Sequence, residues 1–317
     1  MSLLRLLGTR RAKIVFNVVS GVIAVSVGIL TTRHFVASGW PIHHADVLGV
    51  VAAGGLFLAA FGFKAWGWQR LFRDDQRPGT LALAAAGGAA TVTGLALPGR
   101  ADEVVRISVV RRFPGRRVGI GSICLSLFLL GLIDNAALTP IAAISAGIAA
   151  PTGWVQAGLI VVAVAGVCAG AVVVFMPKIV CHRWIARFKF VCWVAEHTTT
   201  PREAANAWSL VAVSWVLRVL AVFVLLDALS IRTSMPLALG FLCASASAAA
   251  LPIAPAGGVA QAGAGAALLV SSGIHASEAA AFAVAAQGMI VLAGAGVIVL
   301  ATTMHAARTR LRLPLRF

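Results

Sequence analysis

Residues 120–148 read IGSICLSLFLLGLIDNAALTPIAAISAGI, an apolar run broken by a single charge, Asp134, near its middle. About 20 consecutive apolar residues suffice for a helix to cross the hydrocarbon of a bilayer. This run exceeds that length and is expected to tilt or to bend at Pro140. Comparable runs lie at 14–35, 46–69, 154–175 and 209–229. In the C-terminal third, 235–251, 257–273 and 279–303 are apolar as well. Pro252, Pro255 and several glycines separate the first two, so these are read either as full spans or as shorter broken ones.

Composition agrees with that reading. Of 317 residues, 60% are hydrophobic, 11% are charged and none is Tyr. Soluble domains average about 45–50% apolar and about 25% charged, and the polar residues here are too few to cover a water-facing core. The expected fold class is therefore all-α, a polytopic transmembrane helical bundle with re-entrant or broken helices, forming a single integral membrane domain over 1–317 with short basic tails. Soluble enzyme folds are excluded. The net charge of +16, from 26 Lys and Arg against 10 Asp and Glu, sits in clusters between apolar runs and not along periodic basic faces. That pattern fits membrane topology and argues against nucleic acid as a partner.

The clusters set the expected orientation. Arg5, Arg10, Arg11 and Lys13 precede the 14–35 run, which lacks a polar cleavage region and reads as a retained helix. Arg33 stands alone in the next connection, whereas 64–79 carries Lys64, Arg70, Arg73 and Arg77. The segment 176–208 and the tail with Arg308, Arg310, Arg312 and Arg316 are basic too. By the positive-inside rule these stretches and both termini face the cytoplasm, in an inner (plasma) membrane. A full crossing by 80–97 would put Arg100, Arg106, Arg111, Arg112, Arg116 and Arg117 outside. A short, Ala- and Gly-rich re-entrant hairpin ending at Pro98 and Gly99 removes the conflict. Trp40, Trp66, Trp68, Trp154 and Trp208 fall near span ends, where indole rings favour the headgroup layer. The 178–193 segment reads as an amphipathic surface helix or an ordinary connector.

Chemistry is sparse. No phosphate-cradling Gly-rich loop, HExxH or serine-nucleophile motif is present, and enzymatic activity is not expected. The five cysteines include no CxxC, and the histidines are scattered, so neither a disulfide, a metal site nor a cofactor is expected. Three constellations stand out. In the first, Pro98-Gly99-Arg100-Ala101-Asp102-Glu103-Val104-Val105-Arg106, helical spacing lets Asp102 face Arg106. Arg100 and Arg106 suit a phosphate, with Glu103 orienting one guanidinium; a surface helix on the positive side explains the same residues. In the second, Asp134 is costly inside a membrane unless partnered, and Arg218, embedded in 209–229, is its expected partner, as a structural pair or along a substrate path. In the third, Pro252, Pro255, Gly257 and Gly258 form a broken turn, with Gln261 as a neutral hydrogen-bonding contact; a tight inter-helix connection is the plain alternative. Gly166 and Gly170 form a GxxxG packing face.

The order of Leu97-Pro98-Gly99-Arg100-Ala101-Asp102-Glu103-Val104-Val105-Arg106, Leu132-Ile133-Asp134 and the Pro252 to Gly263 segment resembles the membrane region of the lysylphosphatidylglycerol synthase family, also described as flippase-like. The resemblance spans about 14–303. It implies a polytopic domain with re-entrant elements that translocates polar lipids, either aminoacylated phospholipids or isoprenoid-linked sugar lipids, and it gives priority to Arg100, Glu103, Arg106 and Asp134. Two departures limit it. Gln261 and Gly263 stand where such sequences often carry a Glu, and no soluble aminoacyltransferase domain follows the last span, so lipid synthesis by this chain alone is not expected. The function read here is a flippase or transporter of phosphate-containing lipids, whether membrane phospholipid or isoprenoid-linked lipid. The alternative is a non-catalytic membrane partner of a glycosyltransferase or lipid-synthesis enzyme.

Overall fold

A computed structural model describes residues 45–96, 101–113, 118–148, 153–180, 200–250 and 257–311, together with Arg33 and Ala37. The expected 14–35 span apart from Arg33, the 181–193 part of the amphipathic segment, and Pro98, Gly99, Arg100, Pro252 and Pro255 lie outside the described residues. Within them the regular structure is helical: α1 (Val47–Gln69), α2 (Thr80–Ala96), α3 (Ala101–Arg112), α4 (Ile120–Ile148), α5 (Trp154–Val180), α6 (Pro201–Ala228), α7 (Met235–Ala250), α8 (Gly257–Ser271) and α9 (Ala276–Leu311). Five of the described helices, α1, α4, α5, α6 and α9, are long and apolar enough to cross a membrane. The chain is an all-α, multi-pass membrane bundle.

Helix ends follow from local chemistry. The Asp46 carboxylate accepts from the Leu48 and Gly49 amides at 3.1 and 3.0 Å, capping α1. Thr200, Pro201 and Glu203 start α6 with a hydroxyl cap and a proline in the first turn. This start lies eight residues before the expected 209, because the polar first turns of α6 are stabilised by the cap and not by apolar periodicity. Gly273 (φ 88°) closes α8, with the Ile274 amide donating to the Leu269 carbonyl at 3.1 Å. Ser230 (φ 55°) closes α6 in the same way, with Ile231 donating to Leu226 at 3.0 Å.

α1 and α6 run antiparallel at the centre. One end is tied by the Asp46 amide donating to the Ala228 carbonyl at 2.8 Å, the other by Arg70 and Glu203 at 3.5 Å. Around this pair the order long, short, short, long occurs twice, as α1–α2–α3–α4 and as α6–α7–α8–α9. The packing is reciprocal: α2 lies on α9 and α7 on α4, while α4 lies on α6 and α9 on α1. Because α1 and α6 are antiparallel, the two four-helix units are inverted relative to each other. Within each unit the short helices form a hairpin, α2 against α3 and α7 against α8. The second of these resolves the C-terminal alternatives in favour of short helices for α7 and α8 and one long helix, α9.

Small residues permit the tightest crossings. A Cβ on Gly88 of α2 would collide with the Gly294 carbonyl of α9, and one on Gly166 of α5 with Thr139 and Asn135 of α4. Gly166 and Gly170 thus form the expected packing face. α5 touches mainly α4, so Ile160, Val161, Val164, Val167 and Val174 point outward, each more than half exposed. That apolar stripe fits a surface that faces lipid.

Candidate functional site

The ion pair at the heart of the bundle and its indole partner come from the long helices. Along α1 the inward face runs Phe57, Phe61, Ala65 and Trp68, and Lys64 falls on the same stripe one turn after Phe61. On α4, Asp134 follows the buried Ile133. Lys64 Nζ and Asp134 Oδ2 meet at 2.7 Å, and the Trp215 indole N–H of α6 donates to Asp134 Oδ1 at 2.9 Å. Both carboxylate oxygens are therefore satisfied, which is the condition for keeping an ion pair at this depth. Asn135 turns back to its own helix, its amide donating to the Gly131 carbonyl at 2.9 Å.

The expected partnership of Asp134 and Arg218 holds as an electrostatic interaction, while the direct ion pair is made by Lys64. Arg218 lies near the pair, but among the described residues it makes no ion pair with Asp134. Its guanidinium instead sits over the rings of Trp215 at 5.0 Å and Phe61 at 5.9 Å. Lys64 belongs to the interior and not to the basic connection in which its sequence neighbours placed it. Trp68 is corrected too: it is 2% exposed, and its indole donates to Ser126 Oγ at 3.0 Å, so it is a core residue. Trp66 and Trp208, each 43% exposed, remain at the periphery as expected.

Beside the pair lies a cavity of about 50 Å³. Its wall combines Lys64, Arg218 and Arg106 with Phe61, Trp68 and the small residues Gly87 and Thr91 of α2. Arg106 reaches it from α3, held by Asp102 four residues earlier at 3.5 Å, as helical spacing predicted. Its Nε is buried and has no hydrogen-bond partner among the described residues. No carboxylate is among the described lining residues. Glu103 is exposed on α3 and Gln261 half-buried on α8, and neither lines the cavity; Gly257 and Gly258 open α8. The structure thus brings together Arg106, Asp134 and Arg218 from the residues singled out in the sequence, and adds Lys64 and Trp215. A second, open recess of about 380 Å³ lies where α3 and α9 end, lined by Ser108, Arg112, Phe113, Thr302 and His305. Among the described residues no three His, Cys, Asp or Glu side chains are grouped to hold a metal.

Comparison with protein-family models, with characterised proteins and with solved structures finds no match. The site is therefore read on its own chemistry. Three cations and two aromatic rings around a small space inside a lipid-facing bundle can hold an anion; among the described residues that line it there is no nucleophile with an adjacent base.

Proposed function

We propose that this chain moves phosphate-containing polar lipids between membrane leaflets. The observation that carries the reading is the convergence of Lys64, Arg106 and Arg218 on one cavity among membrane-embedded helices. Intramembrane cations are costly and are retained where a polar path needs them. Guanidinium groups suit a phosphate, because their planar fork of donors matches its oxygens. The doubled, inverted arrangement with short helical hairpins supports transport as well, since inverted repeats with broken helices place a polar site between two units that can rock against each other. The sequence resemblance to the flippase-like family points the same way. On this reading the bundle sits in the plasma membrane with both termini cytoplasmic, the α2–α3 hairpin enters from the cytoplasmic side, and no bond in the lipid changes.

The test is exchange of an acyl-labelled fluorescent phospholipid between leaflets of sealed vesicles holding the purified protein, without ATP. Protein-dependent exchange that falls at least about tenfold in Arg218→Gln, with the protein still folded, is the expected result. If none of several anionic, zwitterionic and polyprenyl-linked lipids exchanges, transport is rejected, and a non-catalytic partner of a glycosyltransferase or lipid-modifying enzyme becomes the reading to pursue.

A further inference from the structure

The geometry points to a cavity selective for a tetrahedral oxyanion whose headgroup carries no ammonium group, so that anionic lipids are taken and zwitterionic or aminoacylated ones refused. This deepens the transport reading and rests on it for the lipid as source of the anion.

Asp134 is occupied by Lys64 and Trp215 and does not line the cavity, and Asp102 is engaged with Arg106 along its own helix. Counting both carboxylates against Lys64, Arg106 and Arg218 still leaves one positive charge in excess. Arg218 rests on ring faces, which attract a cation without neutralising it. The buried Arg106 Nε has a hydrogen to donate and, among the described residues, no acceptor. Both features fit an incoming oxygen anion. At about 50 Å³ the cavity has room for a small oxyanion group such as phosphate. An ethanolamine, choline or lysyl headgroup would bring an ammonium beside three fixed cations, with no carboxylate among the described residues of the wall to receive it. Like charges in such a site are rejected more strongly than in water, because the surroundings screen them poorly.

Two measurements test this. In vesicles, acyl-labelled phosphatidylglycerol and phosphatidic acid should exchange at least about tenfold faster than phosphatidylethanolamine or phosphatidylcholine. Arg218→Gln should lose that preference and Arg218→Lys should keep it, melting temperatures verifying that both variants fold. Equal exchange of all four lipids would overturn the selectivity while leaving transport standing. In detergent, inorganic phosphate and pyrophosphate should raise the melting temperature of the protein relative to chloride at equal ionic strength, and should do so less for Arg218→Gln. If no lipid exchanges but this stabilisation is seen, transport fails and the cavity takes a free oxyanion. If neither exchange preference nor phosphate stabilisation is found, the anion site itself is rejected.

Discussion

Asp134 holds its place because Lys64 and Trp215 occupy both of its oxygens, so removing the charge should disturb stability before it disturbs anything else. Asp134→Asn leaves the Lys64 ammonium without its counter-charge. Breaking a buried pair from one side costs about 3–5 kcal/mol, and a large fall in melting temperature in detergent is expected. The paired replacement Lys64→Met with Asp134→Leu should recover most of that loss, since apolar side chains of similar volume restore packing without a buried charge. It should not recover lipid exchange. If the double variant melts no higher than Asp134→Asn, the two residues are not coupled as the structure has them. Asp134 is legible in the sequence as a lone charge in an apolar run. Lys64 is harder to see, because charges follow it at Arg70, Arg73 and Arg77 and a count of basic residues absorbs it into the connection. Its register on the Phe57, Phe61, Ala65 and Trp68 stripe is the signal that separates it from them.

Helices are where apolar length speaks most clearly: the runs at 46–69, 120–148 and 154–175 lie close to α1, α4 and α5. What length does not convey is pairing. The hairpins and the doubled order depend on which small residues meet, and Gly88 against Gly294 looks like any other glycine in an Ala-rich run. Gly88→Ala should therefore destabilise the protein in thermal denaturation. Gly62→Ala, on a part of α1 where a Cβ meets nothing, should be neutral or stabilising by up to about 1 kcal/mol. Similar losses for both would reject the α2–α9 contact as a close crossing. At the end of α6, Ser230 holds a left-handed conformation that glycine adopts without a steric penalty. Ser230→Gly should raise stability by about 0.5–1 kcal/mol, measured as melting temperature in one detergent; a decrease would contradict the turn.

For the molecule as a whole, the inverted units and the distribution of arginines make one joint statement about sidedness. The α1–α2 connection carries Arg70, Arg73 and Arg77, whereas the α8–α9 turn at 272–275 carries no Lys or Arg. With native cysteines replaced, a cysteine at Asp74 should resist a membrane-impermeant thiol reagent in intact cells, and one at Ser272 should react. Labelling of both from the outside would break the inverted arrangement. The opposite pattern would keep the arrangement and turn the bundle over, placing Arg106 and the α2–α3 hairpin on the far side of the membrane.

Lys64 precedes Asp134 by 70 positions, and Arg70 precedes Glu203 by 133. At synthesis rates of about 5–20 residues per second, α1 waits about 4–14 s for the carboxylate that will receive its ammonium. During that interval the side chain has to reach toward the headgroups, a reach made feasible by its place five residues before the end of α1 at Gln69. A nascent stage in which α1 sits shallower or more tilted than it finally does is therefore expected, with the emergence of α4 drawing it to depth.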